Sequence, residues 1–399
     1  MNEYKIVKIT DLGTVNRGKS KHRPRNDPIL YGGEYPFIQT GDVKKANLHL
    51  VDYTQTYNDV GLKQSKLWKK GTLCFTIAAN IADSAILGMD ACFPDSIVGF
   101  LPYENVSDTT YVKYLFDELK LYFQQISKGT TQDNLSLDKI CRVKLRVLDY
   151  DTQVKVASIL ATYDTAIENN NKRIHLLEQM AESLYKEWFV RFRFPGYENA
   201  EFENGVPKGW EWQMLVDVTK LLQRGISPIY DDSGIYTVIS QKCIRGKTMD
   251  ISEARKQIKD YKEMLNLQDE DTVICSTGTG TLGRVGKVIG EYPNTTFDSH
   301  VTLARAKNGI GKQFLYGSIK NLQPWFMNMG IGSTNQQELY ISLIRKTKIL
   351  MPTDDLQQKF EDIVKPLHDE IGLIIKKNKY LIRQRDMLLP RLMSGKLEV

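Results

Sequence analysis

The chain has 399 residues, 41% of them hydrophobic and 26% charged, with a formal net charge of +6. That is an ordinary globular composition, long enough for two or three domains, and its mild charge does not by itself imply a nucleic-acid partner. No apolar run approaches the ~18 residues a membrane-spanning helix needs, and five scattered cysteines without a CxxC pair disfavour a zinc site or a disulfide framework.

The opening MNEYKIVKIT is charged and has no apolar core of a signal peptide, so a cytoplasmic location is expected. Residues 1–150 read as a mixed α/β unit. Runs at 35–38 and 72–77 have strand composition and alternate with Gly- and Asn-rich turns. The spacing predicts a helix over 109–126 and a strand over 143–148. Asp151 or Thr152 then caps a long helix over 151–192. Residues 193–210, punctuated by Pro195, Gly196, Pro207 and Gly209, read as a linker. A second α/β unit occupies 211–352, with strands at 236–240, 272–276 and 344–351 and a helix near 312–328. A second long helix and tail occupy 353–399, and Pro366 is expected to kink that helix or break it.

The two halves repeat each other. In the first long helix apolar positions recur in steps of four and three: Val156, Leu160, Tyr163, Ile167, Asn170, Ile174, Leu177, Ala181, Leu184, Trp188. In the second, 204 positions on, the same steps run through Phe360, Val364, Leu367, Ile371, Ile374, Asn378, Leu381, Arg385, Leu388 and Leu392. A rhythm held this long marks a coiled-coil seam. Upstream, Gly129-Thr130-Thr131-Gln132 is matched by Gly332-Ser333-Thr334-Asn335. The architecture expected is two globular units, each followed by a helix, with pseudo-twofold symmetry.

Two catalytic-looking patterns lose to blander readings. Gly278-x-Gly280-x-x-Gly283 follows a predicted strand like a dinucleotide fingerprint, but residues 284–290 alternate like a second strand where the fingerprint needs a helix. A Gly-rich hairpin is expected. Pro94-Asp95 with Glu118 and Lys120 fits a loose metal-nuclease pattern, yet Glu118 and Lys120 fall inside a predicted helix and face different ways. The five histidines have no metal-ligand spacing, and no Ser/His pair stands out.

The chain resembles the specificity subunit of a Type I restriction–modification system. The resemblance rests on the ordered set Phe37-Ile38-Gln39-Thr40-Gly41-Asp42, Val206-Pro207-Lys208-Gly209-Trp210-Glu211-Trp212, the Ser/Thr-Gly-rich hairpin 272–286, and Leu388-Leu389-Pro390-Arg391-Leu392-Met393-Ser394-Gly395-Lys396, all within a duplicated layout. The first-half counterpart of that hairpin, residues 76–83, lacks its glycines. The fold implied is α+β: two pseudo-symmetric mixed α/β target-recognition domains separated by two long helices packed as an antiparallel coiled coil. Such a subunit is not catalytic alone. It reads a split duplex DNA target and docks two modification subunits and the restriction/translocase subunits, which would hold S-adenosylmethionine, ATP and Mg. No cofactor, metal or membrane partner is expected for the chain itself. The absence of any Pro-Pro pair, which base-methylating enzymes of the amino-group class carry, argues against a fused restriction–methylation enzyme. A coiled-coil scaffold without sequence readout is the third reading.

Candidate DNA contacts follow from side-chain chemistry. Arg17, Lys19, Lys21, Arg23 and Arg25 fall within nine residues with no acid among them, suiting phosphates. Gln39 and Thr40 in the first unit, and Gln241 and Lys242 in the second, sit at strand–turn junctions with side chains able to read base edges, and Lys44 and Arg224 join them as candidates. Lys128, Thr130, Thr131, Thr277, Thr279, Arg284, Ser333, Thr334 and Asn335 complete the set. If Asn170 faces Asn378 across the seam, antiparallel geometry sets Ile174 against Ile374, Ile167 against Leu381 and Leu177 against Ile371. Any other register leaves an amide buried against aliphatic groups.

Overall fold

The structure, a computed structural model, describes residues 4–128, 135–246, 248–278, 280–330 and 337–399. The chain divides into two compact units: Met1–Asn171 with Lys377–Val399, and Lys172–Lys376.

In the first unit the entering strand Lys5–Val7 pairs antiparallel with the departing strand Leu145–Val147. Between them lies a five-stranded sheet in the order Gly13–Arg17, Ile97–Pro102, Leu73–Thr76, Ser84–Leu87, His49–Leu50. A four-stranded sheet runs Gln55–Tyr57, Tyr31–Phe37, Ala91–Cys92, Leu67–Trp68. Leu73–Thr76 is buried on both faces, which is why it reads as a continuous apolar run without alternation. The helix expected over 109–126 is two helices, Thr109–Glu118 and Lys120–Ser127. The turn at Leu119 brings Phe123 onto Phe116 with ring centroids 5.0 Å apart, so aromatic packing outweighs an uninterrupted ladder. Phe75, Phe100, Tyr111 and Phe116 form the core beneath.

The second unit repeats this plan with one strand fewer in each of the two larger sheets. Glu211–Met214 pairs antiparallel with Lys348–Met351. One sheet runs Thr219–Arg224, Val301–Ala306, Thr272–Cys275, Val285–Lys287, and a second runs Arg255–Gln257, Tyr236–Ile239, Thr295–Phe297. The strand expected over 344–351 is a correction: its first part belongs to helix Ile341–Lys346, and only Lys348–Met351 is strand. Ile341 and Ile344 lie three apart, which serves one face of a helix, and only Ile344 is fully buried there. The helix near 312–328 is also split, into Lys312–Asn321 and Gln323–Asn328, where Pro324 sits at the second helix's start and has no N–H to donate backwards. The stretch expected to be a bare linker carries a small hairpin, Phe202–Glu203 with Val206–Pro207. Phe192, Phe194 and Phe189 gather round Trp210 at 5.5–5.9 Å, so aromatic burial folds it against the second unit.

The long helices are Tyr150–Tyr185, continued by a π-helical turn Lys186–Val190, and Asp354–Met393. The cap of the first is Asp149, not Asp151 or Thr152: its carboxylate accepts from the Thr152 amide at 3.1 Å and the Thr152 hydroxyl at 2.7 Å. Those bonds hold the Asp149 carboxyl below its usual range. The break expected at Pro366 is absent, and the helix runs through it. Pro366, Asp362 and Ile363 are all exposed, so water satisfies the carbonyl that proline leaves unpaired.

Within the first unit the two helices pair antiparallel through polar groups. Asn170 Nδ2 donates to Asn378 Oδ1 at 2.7 Å, and Asn378 Nδ2 donates to Asn171 Oδ1 at 2.9 Å, which is the register read from the seam. One turn and a half away Asp164, fully buried, accepts from Arg385, from the Tyr114 hydroxyl at 2.5 Å and from Asn47 Nδ2 at 3.1 Å. Burial and this carboxylate both push the Tyr114 phenol above its ordinary range. Ile167 is buried between the two polar layers and Leu381 is half-buried. In the second unit Leu177, Ile371 and Ile374 share one apolar cluster with Ile174, again as the register requires. Substituting Asn378→Leu should strand the Asn170 amide and cost about 1–3 kcal/mol. The double variant N170L/N378L should recover most of that loss. Urea melting of the full chain decides; a double variant as unstable as the two single losses combined would sink the paired-amide account.

Candidate nucleic-acid interface

The basic loop at 17–25 is anchored through its backbone. Gly18 N donates to Ile97 O at 2.8 Å, and Lys19 N donates to Phe93 O at 3.0 Å. A Cβ at Gly18 would lie 2.3 Å from Pro94 O, so only glycine permits this approach. Gln64 Oε1 accepts from the amides of Lys21 and His22 at 2.6 and 3.0 Å. The five cations then separate into two kinds. Arg25 grips Asp95 through both carboxylate oxygens at 2.7 and 2.9 Å, and Arg23 donates to the carbonyls of Ser20 and His22. Arg17, Lys19 and Lys21 are exposed and have no ion-pair partner among the described residues. Asp95 is thus a partner of Arg25, and Lys120 pairs with Asp83 at 2.6 Å, so two of the three charges of the loose nuclease pattern are engaged in ion pairs with other residues.

Other predicted residues gather on the turns that follow the strands. Gln39 and Thr40 stand where Tyr31–Phe37 gives way to helix Thr40–Lys45. Gln39 is tied, its Nε2 donating to Gln55 Oε1 at 2.6 Å. Lys44 reaches Asn80 Oδ1 at 3.5 Å, which brings it to the glycine-free hairpin turn. There Ala79 and Ala82 take the left-handed backbone at φ 62° and 65°. Each costs roughly 1 kcal/mol more than glycine would. Lys128 is exposed at the end of helix Lys120–Ser127. Thr130 and Thr131 lie outside the described residues, as do Thr279, Ser333, Thr334 and Asn335.

In the second unit Gln241 and Lys242 begin a helical turn, Gln241–Cys243, capped by Ser240. Lys242 is exposed. The Gly-rich segment is a hairpin as expected, Thr272–Cys275 pairing antiparallel with Val285–Lys287. Gly278 has φ 103° and the Gln241 side chain lies across it, 3.7 Å from where a Cβ would stand. Thr277 is half-exposed and Arg284 is half-buried in the hairpin. Arg224 is not free: it pairs with Glu338 and donates to Leu339 O at 2.8 Å.

Residue-type reasoning passed over His300 and Asp298. His300 Nδ1 lies 2.6 Å from Thr277 Oγ1, and its backbone N–H donates to Asp298 Oδ1 at 2.9 Å. Because the carboxylate meets the main chain and not the ring, no Asp–His relay is formed. Burial pushes the Asp298 carboxyl up to about 6, partly offset by His300. The signal that could have found them is the repeat itself, which aligns His300 with Ser96. Among the described residues no group of three His, Cys, Asp or Glu could hold a metal ion, and no helix is long and apolar enough to cross a membrane. What the surface offers is cations, amides and hydroxyls on turns held by sheets, chemistry suited to phosphates and base edges.

The family model for the Type I restriction modification DNA specificity domain matches twice, over residues 1–179 and 207–382. The chain therefore belongs to that family and is a Type I restriction–modification specificity subunit. It is 26% identical over 414 residues to the MjaIX specificity subunit of Methanocaldococcus jannaschii, covering all of this chain and 94% of that one. It is 23% identical over 471 residues to the HindI specificity subunit of Haemophilus influenzae, covering 97% and 98%. The crystal structure of an S subunit from M. genitalium superposes with a TM-score of 0.58 at 15% identity, covering 98% of this chain and 96% of that one, a likeness of fold.

A raised carboxyl loses native-state protons only above its folded pKa, so its ionisation destabilises the fold as pH climbs between about 4 and 6. Asp298→Asn should therefore raise the melting temperature at pH 8 and change it little at pH 4. A variant that melts lower than the parent at pH 8 would contradict the burial cost assigned to Asp298.

Proposed function

We propose that this specificity subunit reads a split duplex target, one block per domain, and docks two modification subunits and the restriction/translocase subunits. Methyl transfer to adenine, cleavage, and the binding of S-adenosylmethionine, ATP and Mg belong to those partners, and this chain catalyses nothing alone. The observation that carries the reading is a shared framework bearing unlike polar surfaces. The two domains share the entry–exit ladder and the strand order of both larger sheets, the first domain adding one strand to each. Yet the capping position after the strand is Gln39, tied to Gln55, in the first domain and Ser240 in the second, where the next residue, Gln241, lies over a glycine, and a glycine-free hairpin stands where the second domain has a Gly-rich one. A scaffold would have no use for this divergence on the turns, and this chain lacks the Pro-Pro motif expected of a fused methylating enzyme.

Replacing residues 211–351 with the equivalent domain of a related subunit should change one block of the target and leave the other block and the spacer as they were. Methylome sequencing of cells carrying the hybrid reads this directly; both blocks changing together would overturn the two-reader assignment.

The loop cations give a second test. Neutralising Arg17, Lys19 and Lys21 should weaken binding to every duplex and flatten the log–log salt slope by about 2–3, near one for each phosphate no longer neutralised. Neutralising Arg23 and Arg25 should alter the slope less, since both are engaged within the protein. Equal effects from the two sets would show that the division is not functional.

A further inference from the structure

Aligned on their shared hydrogen bonds, the two domains differ most tellingly at one place. Ile77 N donates to Ser96 O at 3.0 Å in the first, and Ser276 N donates to His300 O at 2.8 Å in the second. These bonds set Ala78 against Thr277 and Ser96 against His300. The first domain thus has a methyl and a small hydroxymethyl where the second has a hydroxyl braced against an imidazole. The brace fixes the ring: Nδ1 is held at 2.6 Å by Thr277 Oγ1, and His300 is exposed. Nε2 has no hydrogen-bond partner among the described residues. The Gln241 side chain lies across Gly278, the residue after Thr277, and its amide also has none among the described residues. Both heads sit on turns with hydrogen-bonded backbones: Asp298 N donates to Ile239 O of a strand at 2.9 Å, and Cys243 N closes its own turn on Ser240 O at 2.9 Å. Arg224, by contrast, is committed to Glu338 and Leu339. An oriented imidazole and an uncommitted amide carried on neighbouring turns are what direct readout of base edges can use.

We infer that His300, oriented by Thr277, is a specificity-determining residue of the second domain: its Nε2–H donates to a guanine edge in the target, with the Gln241 amide reading the neighbouring base. With the Thr277 hydroxyl donating to Nδ1, the ring proton resides on Nε2, and a protonated ring also carries a donor there. In those two states the outward nitrogen seeks an acceptor, which guanine supplies as O6 and N7 in the major groove, whereas the other neutral tautomer, with Nδ1–H donating to the Thr277 hydroxyl, would present an acceptor instead. Thr277 acts through His300 as a positioning residue. The inference rests on the reader function proposed above.

The test uses the full chain with its cognate modification subunit in cells, read by methylome sequencing. Deleting the chain comes first, and methylation of the motif that survives deletion overturns the reader function itself, whatever His300 does. With that function standing, His300→Ala should relax a single guanine position in one block, with discrimination there falling roughly tenfold while the other block stays intact. Thr277→Val should relax the same position to a lesser degree. His300→Gln, which also offers a donor, should retain part of the preference, and it serves as the second variant if alanine impairs folding. An unchanged motif in His300→Ala overturns the assignment. So does an even loss of methylation at all sites in a variant whose Tm matches the parent, because that is the behaviour of a phosphate-binding residue or a structural prop.

Discussion

The structure of the first unit hangs on a buried carboxylate. Asp164 is fully enclosed, and Arg385, Tyr114 and Asn47 supply its compensation from three separate parts of the chain. Removing one partner of such a pair costs about 3–5 kcal/mol, since a charge is left in low dielectric. The constraint is one of register. An apolar 3/4 seam tolerates slippage, whereas Asp164 and the Asn170–Asn378 amides are satisfied in one alignment only. In the second unit the corresponding helix segments meet through Leu177, Ile371 and Ile374, and the Arg173–Glu370 pair is largely exposed. Alignment is therefore specified by polar groups in one unit and by apolar packing in the other.

Much of this was legible because it is periodic. The duplicated seam, the paired asparagines and the hairpin nature of the Gly-rich segment all follow from spacing and turn chemistry. What was not legible depended on tertiary partners. The split at Leu119 reflects Phe123 seeking Phe116, an encounter that no local propensity encodes. Pro366 is harmless because its unpaired carbonyl faces water, which burial alone decides. The apolar tail of 344–351 resembles a strand throughout, yet Ile341 and Ile344 satisfy one helical face first.

The site divides in the same way. Charge density marks all five cations of the basic loop alike, but only structure separates Arg23 and Arg25, which brace the loop, from Arg17, Lys19 and Lys21, which face outward. Arg224 looks like a base reader by type and position and is instead paired with Glu338. His300 was hidden because a lone histidine on a turn before a strand is unremarkable; its meaning comes from the hydroxyl that fixes it. Side-chain type proposes contacts, and hydrogen-bond commitments select among them.

Each domain also begins and ends on the same short ladder: Lys5–Val7 with Leu145–Val147, and Glu211–Met214 with Lys348–Met351. Entry and exit points therefore lie side by side, and everything between them is a closed excursion of the chain. For a lineage under pressure to change its target, this makes the domain a unit of inheritance. A crossover falling at the two strands of a ladder can import a foreign excursion whole, joined to the rest of the chain by two short backbone segments whose hydrogen bonds are indifferent to sequence, provided that it brings side chains such as Asn47 and Tyr114 that suit the helices. New recognition can then arise by exchange between genomes in one event, without passing through the unfolded or unspecific intermediates that stepwise substitution of turn residues would impose.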